Sequence, residues 1–242
     1  LGACFEDLRA AACTAVAFIL VVIAFTTPNW LETDGKLEQP KFVKIGLWQV
    51  CFRGFQDPRH LYDTRFYGCW WVFEEEYYII HDILLPDFFV ATQFFFTLCM
   101  TLLLVGAFLT ALYTCCSRRH EKYQLLLWAT GANLTLSGIC GIIAVIIFGA
   151  RGDGRDWMPN WEHNDISWSY ALAVVGSFVL VAAGILFLVE TERVDFFFAT
   201  EGQYLNVGLG IFARKKNRFV PRVVFTAKGC DSFANSTCVT RL

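Results

Sequence analysis

Four long segments of the chain consist almost entirely of apolar residues. They are residues 10–27, 88–116, 125–148 and 169–189, and none of them contains Asp, Glu, Lys, Arg or His. An α-helix needs about 20 mostly apolar residues to cross about 30 Å of hydrocarbon. The pattern therefore predicts four membrane-spanning helices, separated by segments that are charged or rich in turn residues.

Basic residues around these segments predict how the chain is oriented. Arg118, Arg119 and Lys122 lie between the second and third spans, and eight bases follow Val189. Because Lys and Arg concentrate on the cytoplasmic side of spanning helices, we expect both termini in the cytoplasm of a multi-pass plasma-membrane protein. The loops 29–87 and 149–168 then lie outside the cell. Four tryptophans fall near the outer membrane interface: Trp30, Trp157, Trp161 and Trp168.

This pattern divides the chain into a four-span domain, residues 1–189, and a cytoplasmic tail, residues 190–242. The tail shows no sustained helical period, so we expect it to be largely unstructured. Overall composition agrees with a membrane protein, since 56 % of the residues are hydrophobic and only 17 % are charged. Soluble domains are about a quarter charged.

The first outer loop contains two segments rich in β-branched and aromatic residues. Residues 41–53 and 61–73 predict two strands, and residues 54–58 between them have turn chemistry. Each segment carries one cysteine, Cys51 or Cys69, and these are the only cysteines in the predicted extracellular segments. An oxidising compartment and an even count favour a disulfide between them, with two free thiols as the alternative.

The same loop resembles the signature of the claudin and peripheral myelin protein superfamily. That signature is a Trp after the first span, then Gly-Leu-Trp, then two cysteines. The matching residues, in order, are Trp30, Gly46, Leu47, Trp48, Cys51 and Cys69. The resemblance covers residues 10–189 and implies a membrane α-helical fold, in which a four-transmembrane-helix bundle carries a small extracellular antiparallel β-sheet. It also implies that the motif tryptophan packs at the junction of sheet and membrane.

Two features differ from typical vertebrate claudins. The 17 residues between Cys51 and Cys69 make a longer connection, and the Arg that those claudins carry at the start of the second span is absent from residues 88–93. In both respects the chain is more similar to divergent invertebrate claudin-like proteins of septate junctions.

The resemblance implies a protein of lateral cell junctions, septate or tight, that forms or organises a paracellular barrier. Its outer loops are expected to contact the same or other claudin-like proteins in cis and in trans, and its spans contact membrane lipids. The alternative is an accessory subunit of an ion channel or receptor, or another membrane organiser of the same superfamily.

Catalytic chemistry has little support in the sequence, and we expect no enzyme activity, cofactor or metal. The four histidines are scattered, and no HExxH, paired CxxC, Walker loop or GxSxG occurs. The net charge of −2 gives no electrostatic argument for binding nucleic acid. Gln93 and Asn133 are the strongly polar residues inside the spans, and we expect them to form hydrogen bonds between helices.

Two further patterns concern packing and exposure. Small residues in the third and fourth spans favour close packing within the bundle, with a lateral oligomer face as the alternative. They are Gly131, Ser137, Gly138, Gly141, Ala182, Ala183 and Gly184. The acidic run Glu74-Glu75-Glu76 is typical of a solvated turn, and a surface that attracts cations or a partner is the alternative.

The predicted cytoplasmic side offers two candidate sites. Cys115 and Cys116 lie at the end of the second span beside two arginines, which is compatible with S-palmitoylation, with unmodified thiols as the alternative. The last three residues, Thr240, Arg241 and Leu242, match the peptides that PDZ domains capture as an added strand. A PDZ scaffold is therefore an expected partner.

Overall fold

The computed structural model describes residues 2–56, 64–115, 123–152, 154, 155 and 157–215, of which 2–8, 115 and 195–215 are described by their backbone alone. The α-helices are α1 (Gly2–Thr26), α2 (His81–Leu84), α3 (Asp87–Cys115), α4 (Tyr123–Arg151) and α5 (Trp168–Lys215). The strands are β1 (Leu31–Thr33), β2 (Phe42–Ile45), β3 (Gln49–Gln56), β4 (Arg65–Trp71) and β5 (Asn164–Ile166). Two 3₁₀ helices cover Glu75–Ile80 and Trp161–His163. The chain forms two compact units, Leu1–Phe197 and Phe198–Leu242.

Four of the described helices are long and apolar enough to cross a membrane, as predicted. The candidate spans are Arg9–Thr26, Asp87–Thr114, Tyr123–Arg151 and Trp168–Val194. Large apolar side chains such as Phe94 and Phe178 are exposed on the outside of these helices. In a bilayer such side chains contact lipid tails, which are as apolar as they are.

Polar contacts and small residues hold the helices together. The Nδ2 of Asn133 in α4 donates a hydrogen bond to the carbonyl oxygen of Leu102 in α3 at 2.7 Å, which confirms the predicted bond between helices. A Cβ atom on Gly138 would lie 2.6 Å from the side chain of Val181, so its absence lets α4 approach α5 closely. At this position the prediction of close packing within the bundle is confirmed.

The strands form one five-stranded antiparallel sheet with the order β4-β3-β2-β1-β5. The sheet combines both predicted outer loops, because β5 from the second loop pairs with β1 from the first. Leu31 lies at this meeting point, opposite Ile45 on one side and Ile166 on the other. The small antiparallel sheet that the resemblance implied is therefore confirmed.

The predicted strand boundaries are wrong in two places. Residues 41–53 form two strands, β2 and β3, which reverse direction at Gly46, whose N–H donates to the carbonyl oxygen of Gln49 at 2.8 Å. The predicted turn at residues 54–58 does not begin at Gly54, because β3 continues to Gln56. Gly54 has a φ of 72°, a left-handed backbone conformation that glycine adopts easily, and it forms a β-bulge instead of a turn.

Helix α5 does not end at Val189 but continues to Lys215. The prediction of a largely unstructured tail is therefore wrong for residues 190–215. Glu190, Glu192 and Arg193 interrupt the apolar pattern, which suggested a boundary. The segment contains no proline, however, so no backbone group that the helix needs is missing.

Candidate interaction surface

Trp30 lies at the centre of the junction between the sheet and the helices, where it is fully buried. Its Nε1 donates a hydrogen bond to the carbonyl oxygen of Ala24 in α1 at 2.7 Å. Its ring meets Phe96 of α3, Phe148 of α4 and Tyr170 of α5 edge-on, with centroid distances between 5.0 and 5.7 Å. One side chain thus contacts all four spanning helices.

The turn that joins β2 to β3 packs tightly against the end of α1. A Cβ atom on Gly46 would lie 2.5 Å from both the Cα of Pro28 and the carbonyl oxygen of Thr27, so only glycine fits. The neighbouring Leu47 is fully buried, and its carbonyl oxygen accepts a hydrogen bond from Nε2 of Gln93 at 2.6 Å.

The Gln93 bond corrects a prediction. We expected Gln93 to bond to another helix, and it bonds to the turn instead. Helix carbonyls already accept bonds from their own backbone, whereas the carbonyl of a buried turn needs a partner. Gln93 therefore fastens the sheet to α3.

Trp48 links the sheet to α1. Its partly buried ring lies 5.3 Å from that of Phe25 and 6.3 Å from that of Phe73, measured between centroids. Its carbonyl oxygen accepts a bond from the N–H of Val72 at 2.9 Å. Its Nε1 is buried without a hydrogen-bond partner among the described residues.

Cys51 and Cys69 form a disulfide, as predicted. They lie directly opposite each other in β3 and β4, so the bond fastens the edge strand to the rest of the sheet. Closing a loop of this length stabilises a fold by about 3 kcal/mol in the chain-entropy model.

Strand β4 is one edge of the sheet, and exposed aromatic side chains follow it. The exposed fractions of these residues range from 49 to 84 %. We call them the β4 aromatic surface: Tyr67, Trp70, Trp71, Phe73 and Tyr78. The run Glu74-Glu75-Glu76 lies in the same stretch and is exposed, as expected of a solvated turn. The rings of Trp71 and Phe73 lie 6.5 Å apart, so these two form an exposed apolar patch beside the acidic run. Apolar patches that are bordered by charge mark interaction sites.

Tyr77 differs from its exposed neighbours because it anchors this stretch to the sheet. Its buried ring lies edge-on to Phe66 and Phe52, with centroid distances of 5.2 and 5.9 Å. Burial, together with the nearby carboxylates of Glu76 and Glu74, raises the pKa of Tyr77 to about 12. The hydroxyl therefore stays neutral at physiological pH.

A polar contact joins the two loops at the end of β1. The Oδ2 of Asp34 lies 3.1 Å from Nδ1 of His163 and 3.3 Å from Nζ of Lys36. The N–H of Asp34 also donates to the carbonyl oxygen of His163 at 2.7 Å. The backbone N–H of Lys36, followed by the bond to His163, lowers the pKa of Asp34 to about 2.

This low pKa predicts a pH-dependent effect of Asp34→Asn. Because the pKa in the folded protein lies below the ordinary value of 3.8, the carboxylate stabilises the fold above that pH and stops doing so as the pH falls towards 2. We expect the variant to unfold at a lower temperature than the parent at pH 7, and the difference to disappear by about pH 2. Thermal unfolding of the purified proteins in detergent between pH 7 and 2 tests this. Glu38→Gln, at a nearby exposed carboxylate, is the control, and a difference that does not change with pH would contradict the prediction.

Several contacts at the sheet end could not be found from sequence. His163 and Asp34 are far apart in the chain, and no local pattern connects them. Trp157, like Trp30, is buried inside the protein, and its Nε1 donates to the carbonyl oxygen of Ile83 at 3.1 Å. Trp161 and Trp168 remain partly exposed, as interfacial tryptophans are.

Other predicted sites fall where the structure gives no side chains. Cys115 is described by its backbone alone, and Cys116, Thr240, Arg241 and Leu242 lie outside the described residues. Palmitoylation and PDZ binding stay predictions. Within the described part of the chain, no group of three or more His, Cys, Asp or Glu side chains is placed to hold a metal ion.

Together these features define a class of protein. It is a multi-pass membrane protein whose four spanning helices carry a disulfide-fastened sheet, with a buried tryptophan at their junction. The model of the PMP-22/EMP/MP20/Claudin tight junction family matches residues 15–189. The chain belongs to this family and is, in general terms, a claudin-like junction protein. A search of curated proteins found no match.

Proposed function

We propose that the protein forms or organises a paracellular barrier at lateral cell contacts, and that the β4 aromatic surface binds neighbouring copies or other claudin-like proteins. The exposure of this surface at the sheet edge is the observation that carries the proposal. Family membership supports a junction role in general.

The chemistry of the β4 edge suits protein contact. An edge strand has unpaired backbone N–H and C=O groups along one side, and these can pair with a strand of another molecule. Tryptophan and tyrosine dominate the binding energy of many interfaces. Trp71 and Tyr78 are the most suitable anchors because more than half of each side chain is exposed and neither forms a described hydrogen bond through its side chain.

We further propose that the sheet lies outside the cell and both termini lie in the cytoplasm. The disulfide between Cys51 and Cys69 supports this orientation, because such bonds persist in oxidising compartments. The bases that follow α3 in the sequence, Arg118, Arg119 and Lys122, support it too.

Expression in cells that lack junction proteins tests the proposal. The chain carries one epitope tag after Asp57 and another after Leu242, and the readouts are enrichment at cell contacts and flux of a tracer between cells. We expect enrichment and reduced flux, with the second tag stained only in permeabilised cells. The double variant Trp71→Ser/Tyr78→Ser should reach the surface but bind other copies about 700-fold more weakly, since each of the two anchors is worth about 2 kcal/mol.

Trp168→Ser is the matched control, because Trp168 is 50 % exposed but lies next to the opposite edge strand, β5. Unchanged enrichment and flux in the double variant would show that the β4 aromatic surface is not the contact. Uniform surface staining of the parent chain, with recovery of a single channel on purification, would favour the accessory-subunit alternative.

A further inference from the structure

The bulge at Gly54 separates two kinds of surface on the sheet. Ahead of and behind the bulge, Phe52 and Phe55 are both buried, and their rings stack at 4.7 Å. Arg53, between Phe52 and Gly54, is exposed instead. Tyr67 of β4 pairs with Arg53 and lies across Gly54, where a Cβ atom would come within 3.2 Å of the tyrosine hydroxyl.

A polar pocket of about 340 Å³ opens at this bulge. Three of its described lining residues are cations, Lys41, Arg53 and Arg65, and none of the described ones is a carboxylate. The remaining lining residues are Gln39, Gly54, Gln56 and Tyr67. Within the described part of the chain, no carboxylate lies at ion-pair distance from any of the three cations. The described residues of the pocket therefore concentrate positive charge and hydrogen-bond donors.

We propose that this basic pocket binds a sulfate ester of a sulfated glycan. Arginine side chains donate parallel hydrogen bonds to two oxygens of one tetrahedral anion, and lysine adds a third positive charge. The amide of Gln39 and the hydroxyl of Tyr67 supply further donors. A concave site with three cations suits a compact anion with several oxygens better than a single carboxylate.

The position of the pocket favours a glycan over two other sources of negative charge, which are the lipid headgroups of its own membrane and the acidic run of a second copy. The pocket lies at the Gln56 end of β3, whereas the Gly46 turn at the other end packs against the helices. Seven residue steps along a strand span about 20 Å, which removes the pocket from the headgroups of its own membrane. The acidic run Glu74–Glu76 follows the helix-proximal end of β4. In a second copy in the same membrane, these carboxylates therefore lie closer to the membrane than the pocket does.

Binding of a size-defined heparin oligosaccharide to the purified full-length chain in detergent tests the inference. We expect saturable binding that weakens with added salt and is lost with the desulfated oligosaccharide. Arg53→Gln/Arg65→Gln should weaken binding by about 10- to 100-fold, because two charge-assisted contacts are removed. Arg53→Lys/Arg65→Lys should fall between this variant and the parent.

Lys36→Gln/Lys44→Gln is the matched control, since it removes two charges outside the pocket, one from β2 and one from the loop before it. Equal weakening in this control would show a diffuse electrostatic effect and overturn the inference, as would unchanged binding in the arginine variants. Binding to phosphatidylserine vesicles or inorganic sulfate that equals binding to heparin would overturn the assignment to a glycan. The binding measurement uses purified protein and depends neither on a cell junction nor on the orientation of the chain in a membrane. Its result is therefore independent of whether the proposed barrier function is correct.

Discussion

Replacing Trp30 by alanine is expected to lower the free energy of unfolding by about 3–5 kcal/mol, the usual cost of removing a buried tryptophan. The ring contacts α3, α4 and α5, and its Nε1 bonds to α1, so the cavity would open where all four spans meet the sheet. Because these helices are fixed by one another, they cannot collapse into the space without losing other contacts.

Trp30→Phe separates packing from hydrogen bonding at the same position. Phenylalanine keeps an aromatic ring among Phe96, Phe148 and Tyr170 but cannot donate to Ala24, so we expect a loss of only about 1 kcal/mol from the missing bond, with some added cost for the smaller ring. Unfolding of the two variants in mixed detergent micelles gives both free energies. Equal stability of the alanine variant and the parent would show that Trp30 does not organise the junction.

Gly46→Ala is expected to be nearly as damaging, although it adds only one methyl group. The new Cβ would lie 2.5 Å from two backbone atoms, the Cα of Pro28 and the carbonyl oxygen of Thr27. Backbone atoms cannot rotate away as a side chain does, so the turn must move off α1. Overpacking of this kind typically costs about 1–3 kcal/mol, and here it would also break the bond between Leu47 and Gln93.

Gly35→Ala provides the comparison for this glycine. Gly35 has a φ of 73°, but a Cβ there meets nothing within 4 Å, so the variant bears only the cost of the left-handed backbone, about 1 kcal/mol. We expect Gly46→Ala to reduce both surface delivery and the unfolding free energy much more than Gly35→Ala. If both variants behave alike, close approach at Gly46 does not limit stability.

The spans were predictable because crossing a bilayer is a requirement that every residue in the segment reflects. Lipid cannot solvate a charged side chain, so α3 contains no charged residue after Asp87 at its start. The Cys51–Cys69 pair was predictable for a similar reason, since compartment and count left few partners. In both cases the structure depends on the composition of a segment or on the number of cysteines, and both can be read from the sequence.

The sheet was less predictable because its shortest members depend on distant partners. β1 and β5 have three residues each, too few for a period, and β5 becomes a strand because β1, from another loop, lies beside it. The partner of Gln93 was missed since the Leu47 carbonyl reaches it only after the turn has packed. Gly54 showed that a flexible residue predicts a change of direction without saying whether the chain turns or bulges.

The attachment of β1 and β5 to the helices has a mechanical consequence. Four residues, 27–30, connect α1 to β1, and one residue, Ser167, connects β5 to α5. The N–H groups of Ser167 and Ser169 donate to the carbonyl oxygens of Trp30 and Asn29, which closes these connections against each other. When a contact on the sheet is pulled, the force reaches two spanning helices through adjacent strands with almost no slack. The sheet and these two helices would therefore respond to such a force as one unit.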